Sequence, residues 1–229
     1  MSIISVGKKI FKGNSALLSF VLSLYNHLPF NNHIRIRKSK KNMLKTKNSM
    51  LKGVDISVRG TNNRIVLGNR CVLRNCRIRI SGSNNTITLG NKVSMNAGTL
   101  WIENDGNEIN IGSNTSLLGS VHLACIEGTK ISIGERCLFS DDIYFRTGDS
   151  HSILDNGGKR INKSQDITVG NHVWFGFRSM VNKGVTIKDD SIVANGALVT
   201  SSFDTTNIII GGVPGKVIKT DINWDIKRI

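Results

Sequence analysis

One of the five histidines of this sequence, His151, stands where a side chain could do acid–base work. It lies in Asp149-Ser150-His151, within a polar stretch, residues 146–165, rich in Gly, Asn and Asp. An imidazole titrates near neutral pH and can take the proton of an alcohol, otherwise too weak a nucleophile to attack a carbonyl. Asp149 and Asp155 are the nearby carboxylates that could orient its ring. By itself such a histidine reads as a surface residue of a loop. Trp174, directly before Phe175, brings an indole N–H able to donate to a developing oxyanion, against a packing role beneath the same loop. The four cysteines (Cys71, Cys76, Cys125 and Cys137) form no CxxC pair and lie at no zinc spacing from a histidine. They read as buried thiols kept reduced.

The element that must hold these residues is a repeat. Aliphatic-Gly pairs recur at Leu67-Gly68, Leu89-Gly90, Ile111-Gly112 and Ile133-Gly134, every 22 residues. Each follows an Asn/Gly turn and a short apolar–polar alternation, which is strand-like. Farther on, Val169, Phe175, Val181, Ile187, Val193 and Val199 fall at steps of six, with mostly small or β-branched residues four places after each. Three hexads make a coil, and a 22-residue unit is a coil with extra residues at a corner. An amphipathic helix would need apolar spacings of three and four, which are missing. The pattern predicts an all-β parallel β-helix, with strands stacked at ~4.8 Å. Spacing does not set its hand, and general crossover preference is right-handed.

The ladder breaks after Phe145. The next positions, His151, Gly157 and Lys163, cannot fill an apolar interior, so residues 151–165 read as a loop thrown out from a corner. Long excursions from a regular scaffold are where function concentrates. The organisation expected is a basic N-terminal extension (1–43), the β-helix (44–210) and a C-terminal tail (211–229).

The chain has 229 residues, 39% hydrophobic but only 6% aromatic, with 23 glycines and two prolines. That content excludes wholesale disorder and argues against a large helical bundle. Of the net +15 charge, eleven basic residues precede the first acid, Asp55, leaving 20 basic against 16 acidic residues in the remainder. The basic segment suits an anionic polymer or peripheral contact with the inner membrane of a cytoplasmic protein. Nucleic acid fits poorly, because aromatics are hardly interleaved with the charge. The apolar run 16–25 is too short to span a bilayer and lacks a cleavage site; it reads as a helix of about four turns ended by Pro29.

The hexad ladder, Asp149-Ser150-His151, Gly170-Asn171-His172-Val173-Trp174-Phe175-Gly176 and Gly212-Val213-Pro214-Gly215-Lys216 together resemble the hexapeptide-repeat acyltransferases. Within them the likeness is to bacterial capsule, polysialic-acid and O-antigen O-acetyltransferases, over about residues 44–219. The resemblance implies a left-handed prism, a homotrimer and acetyl-CoA bound between neighbouring subunits. It implies His151 as the general base and Trp174 at the acceptor and thioester site. It places the cofactor against Gly176, Ala194, Thr200, Ser201, Lys216 and Lys219: the first two with amides open to the pantetheine arm, the lysines on phosphates. Ser201 departs from the lysine of many relatives. Carbonic anhydrases of this fold bind zinc through two close histidines in one loop and a third; His122 and His172 do not reproduce that set, and no metal is expected. The expected acceptor is a surface glycan. Alternatives are a small molecule such as an amino sugar, serine or an antibiotic, or a non-catalytic solenoid binding an anionic polymer or membrane.

Overall fold

Short alternating runs joined by left-handed Asn corners leave the chain one economical way to bury its apolar side: winding upon itself. The computed structural model, which describes residues 15–28, 32–36 and 40–227, is a parallel β-helix. Its strands collect on three faces, eight on face A, seven on face B and nine on face C. Within every coil the chain visits A, then B, then C. Pairing is parallel and in register, so that Ile56 stands under Ile78 and Phe139 under Phe175. Among the described strands the last, Lys216–Lys219, runs antiparallel, against Ile209–Gly211.

The hexad positions fill the interior: Val169, Phe175, Val181, Ile187, Val193 and Val199 are at most 3% exposed. Three phenylalanines, 139, 145 and 175, pack together at centroid distances of 4.5–5.7 Å in the coils beside the loop. The aliphatic-Gly pairs need glycine for proximity. A Cβ on Gly112 would lie 2.5 Å from the carbonyl of Gly134 in the next coil.

At the A-to-B corner a buried asparagine ladder climbs the coils. Asn85 Nδ2 donates to Asn63 Oδ1 (3.1 Å) and to the Asn104 carbonyl (2.9 Å), while its Oδ1 accepts from the Asn107 amide (2.8 Å). Thr129 takes over above, its amide bonded to Asn107 and its hydroxyl 2.6 Å from that of Thr147. Face A is also broader here. Its strands span five residues at Asp55–Arg59, Arg77–Ser81 and Thr99–Glu103, but two at Met180–Val181 and Leu198–Val199. The longer units of the 22-residue repeat thus widen one face as well as its corner.

A helix, Ser15–His27, closes the first coil of face C. Asn26 donates to the Ser49 carbonyl and accepts from the Leu51 amide, both at 2.9 Å. Outward, Phe20 and Leu24 remain exposed. Pro29 and five basic residues of the N-terminal segment (Lys8, Lys9, Lys12, Arg37 and Lys38) lie outside the described residues. No helix among the described residues is long and apolar enough to cross a membrane. The four thiols are buried and unpaired, and burial pushes that of Cys137 up to about 11.

Removing a rung of the asparagine ladder leaves buried partners without hydrogen bonds, at a cost of ~1–3 kcal/mol for a stranded group. Asn85→Ala is expected to lower unfolding stability by about 2–3 kcal/mol in denaturant titration. The reverse sign is expected for Ser179→Ala, because the buried Ser179 hydroxyl has no partner among the described residues.

Candidate active site

The polar segment after Phe145 leaves the coil at Gly148 and rejoins it at Gln165, whose amide donates to the Thr147 carbonyl (2.9 Å). The exit needs glycine, since a Cβ on Gly148 would come 2.6 Å from Ile126 Cδ1. The loop then lies along the A/B edge, clamped to the coils on either side. On one side Arg160 makes two bonds to Glu127, at 2.7 and 3.0 Å, and Ser164 Oγ a third at 2.8 Å. Those donors hold the Glu127 carboxyl down at about 2. On the other side Lys183 Nζ pairs closely with Asp149 and lowers its pKa below the usual carboxylate range.

Asn162, buried at the centre, ties the loop to itself. Its amide nitrogen donates to Asp149 Oδ2 and to the His151 carbonyl, both at 2.8 Å, and its oxygen accepts from the Ile153 amide at 2.8 Å. The main chain of His151 is therefore fixed, while its exposed ring has no hydrogen bond among the described residues. Neither expected carboxylate orients that ring. Asp149 is engaged by Lys183 and Asn162, and Asp155 accepts from the amides of Gly157 and Lys159 (2.9 Å each) in the loop's own turn.

Trp174 belongs to face C, beside Leu138 and Ile192, and not beneath the loop. Its indole N–H reaches Ser140 Oγ only at 3.4 Å. The C-terminal tail supplies an unexpected neighbour, Trp224, with its ring 5.9 Å from that of Trp174. Trp224 stacks on His172 (4.2 Å, 11°) and donates to its carbonyl at 2.9 Å, while His172 Nδ1 meets Asp190 Oδ1 at 2.8 Å. No periodicity marked Trp224, because the tail stands outside the repeat.

The remaining positions sort into two groups. Thr200 and Ser201 are exposed on the A/B edge, two coils beyond the His151 loop, or ~10 Å at the coil spacing. Gly176 and Ala194 lie where face C turns into face A, next to the final antiparallel strand that carries exposed Lys216 and Lys219. The expectation of open amides at Gly176 and Ala194 is corrected. Their N–H groups donate to the carbonyls of Val193 and Ile210, each at 2.8 Å, as the coil stacking requires. What these residues contribute is smallness, since a Cβ on Gly176 would lie 2.4 Å from Asn195 Oδ1. In a three-sided prism the A/B edge is opposite face C. One chain therefore holds His151, Thr200 and Ser201 on one side and Trp174, Lys216 and Lys219 on another.

Residues 166–201 match the family described as hexapeptide repeat of succinyl-transferase. The β-helix also superposes on the crystal structure of the polysialic-acid-specific acetyltransferase NeuO with a TM-score of 0.68 and 25% identity, over 80% of this chain and 76% of that one. The matched repeat and this superposition make the chain similar to the hexapeptide-repeat acyltransferases. The same likeness gives the β-helix its left-handed winding. A second solved structure, that of the polysialic acid O-acetyltransferase OatWY, superposes at TM-score 0.65 with 28% identity, over 87% of this chain and 90% of its own. In sequence alone, the galactoside O-acetyltransferase of Escherichia coli K12 is 39% identical over 69 residues, 30% of this chain. That stretch is about a third of the curated relative's length (32%).

The clamp predicts a pH and a mutational effect. Because the folded Glu127 carboxyl sits below its ordinary value, its contribution is complete above about 4.5 and is lost as pH falls towards about 2. The pair is largely exposed, so the loss in global stability is at most ~1 kcal/mol. At neutral pH, Arg160→Ala is expected to speed amide exchange across residues 148–164 several-fold while leaving Tm nearly unchanged.

Proposed function

We propose that this chain is an acetyl-CoA-dependent O-acetyltransferase whose acceptor is a hydroxyl of a bacterial surface glycan. The observation that carries the proposal is His151, held by a fixed main chain with a free imidazole at the rim of a β-helix that superposes on two polysialic acid acetyltransferases. In this reading the imidazole removes the proton of the sugar hydroxyl as its oxygen forms a bond to the acetyl carbonyl carbon. The carbon–sulfur bond breaks, the imidazolium returns its proton to the departing thiolate, and CoA leaves as the free thiol. Transfer is direct, with no acyl-enzyme. The weakly engaged Trp174 indole N–H can turn to the oxyanion that develops between these steps.

The two half-sites favour assembly from neighbouring subunits of a cyclic trimer, the loop of one protomer meeting face C of the next. Lys216 and Lys219, exposed at the strand edge, fit CoA phosphates, and Thr200 and Ser201 offer hydroxyls to the same ligand. The engaged amides of Gly176 and Ala194 do not fit as donors to the pantetheine arm, which these small residues instead leave room for. The likeness to a galactoside enzyme favours a second reading with a small sugar acceptor, and comparing CoA release with galactosides and with polysialic acid separates the two.

His151→Ala is expected to lower kcat by ~10²–10⁴. Trp174→Ala chains should also be slow. Denatured together and reassembled in equal amounts, the two variants are expected to recover roughly a quarter of the wild-type rate, since random cyclic trimers restore some intact interfaces. Retention of most activity by His151→Ala overturns the base, and no recovery on mixing overturns the shared site.

A further inference from the structure

Outward from the apolar interior, the broad part of face A carries its own chemistry. The five-residue strands put three side chains per coil on the surface, and register stacks them in columns. One column runs Arg35, Ser57, Arg79, Trp101, Ala124 and Arg146. Beside it Arg77 and His122 follow each other two coils apart, with Arg59 on the far flank. All of these but Ala124 and Arg146 line a shallow depression of about 740 Å³.

The charges there are only partly compensated. Asp55 bonds to both Arg35 (3.2 Å) and Arg79 (2.5 Å), and Glu103 also borders the depression. Arg59 and Arg77 are exposed and make no ion pair among the described residues. Above the arginines the surface becomes aromatic. Trp101 is 37% exposed and meets His122 edge-on (5.8 Å, 85°), and His122 stacks on Tyr144 at 4.4 Å. The Nε2 of His122 is buried without a hydrogen-bond partner among the described residues. Burial, then nearby Arg146, lowers the ring's pKa. Arg146 lies over Tyr144 at 6.0 Å and donates to Ser150, the residue before His151. The stripe therefore leads from the first coils to the candidate base.

We propose that this stripe is the acceptor platform: it takes an extended polysaccharide bearing carboxylates and lays it along the coils so that one sugar reaches His151. The proposal rests on the acetyltransferase reading and names its acceptor class. Guanidinium groups suit carboxylates, which they can hold through two parallel bonds. An exposed indole face suits the C–H side of a sugar ring. A lipid surface fits less well, because the arginines line a depression and no exposed aliphatic side chain stands among them to enter a bilayer. Nucleic acid would call for several ring faces open to bases, whereas His122 and Tyr144 cover each other.

The test is binding without acetyl-CoA, read by calorimetry, with purified polysialic acid, a neutral maltooligosaccharide and phosphatidylglycerol vesicles as probes. The wild-type chain is expected to bind polysialic acid and not the neutral oligosaccharide. Arg59→Ala/Arg77→Ala and, separately, Trp101→Ala should each weaken that binding at least tenfold, with Trp101→Phe retaining most of it. Acetyl-CoA affinity and the thermal unfolding midpoint should stay unchanged, which also shows that the variants are folded. In wild type, polysialic acid should slow amide exchange over residues 55–59, 77–81 and 99–103. Unaltered polymer binding by the variants overturns the proposal, as does a loss confined to vesicle binding. Failure of the acetyltransferase reading looks different: wild type then transfers acetyl to no acceptor, whatever it binds.

Discussion

Main-chain hydrogen bonds from each coil to the next hold the residues of the β-helix in fixed columns. Once the Gly112 amide donates to the Ile133 carbonyl and the Gly134 amide to that of Val169, everything between them is indexed to a face and a height. An apolar interior only three side chains across then admits little variation. Phenylalanines 139, 145 and 175 fill it where the loop departs, and nothing polar can follow at the same positions. That is why residues 148–164 must leave the coil, and why they leave at a corner and not from a face.

The same indexing decides what the loop can touch. It lies on the A/B edge because it follows a face A strand, so its anchors are the corner residues directly below and above, Glu127 and Lys183. Glu127 accepts from Arg160 and Ser164 of the loop, and Lys183 donates to Asp149, leaving the His151 ring free. Trp174, on face C, is shielded from that ring by the body of its own prism. The fold thus puts the His151 ring on one side of the prism and the Trp174 indole on another, the arrangement that the proposed shared site requires.

Much of this can be read from the amino-acid order. The step of six predicts the buried set from Val169 to Val199, and its failure at His151, Gly157 and Lys163 marks the excursion. The face that carries Trp174 is not legible in that order: the sequence offers packing beneath the loop, whereas the strand pairing puts it on face C. The Glu127 and Lys183 clamps are hidden because they join residues 33 and 34 positions apart, a distance set by the loop's length and not by the repeat. Trp224 is hidden because the tail has no period at all. The open amides expected at Gly176 and Ala194 conflict with the repeat itself, which pairs such groups with the coil above.

The claim on which the account turns is that a thioester donor sits between the loop of one protomer and face C of another. A crystal structure of the assembled protein with CoA tests it most directly. The account predicts the CoA sulfur about 3–4 Å from a His151 imidazole nitrogen, within reach of a proton, with Trp174 of the adjoining protomer lining the same crevice. A sulfur seated away from His151, or a 148–164 loop that meets no neighbouring face C, would contradict it.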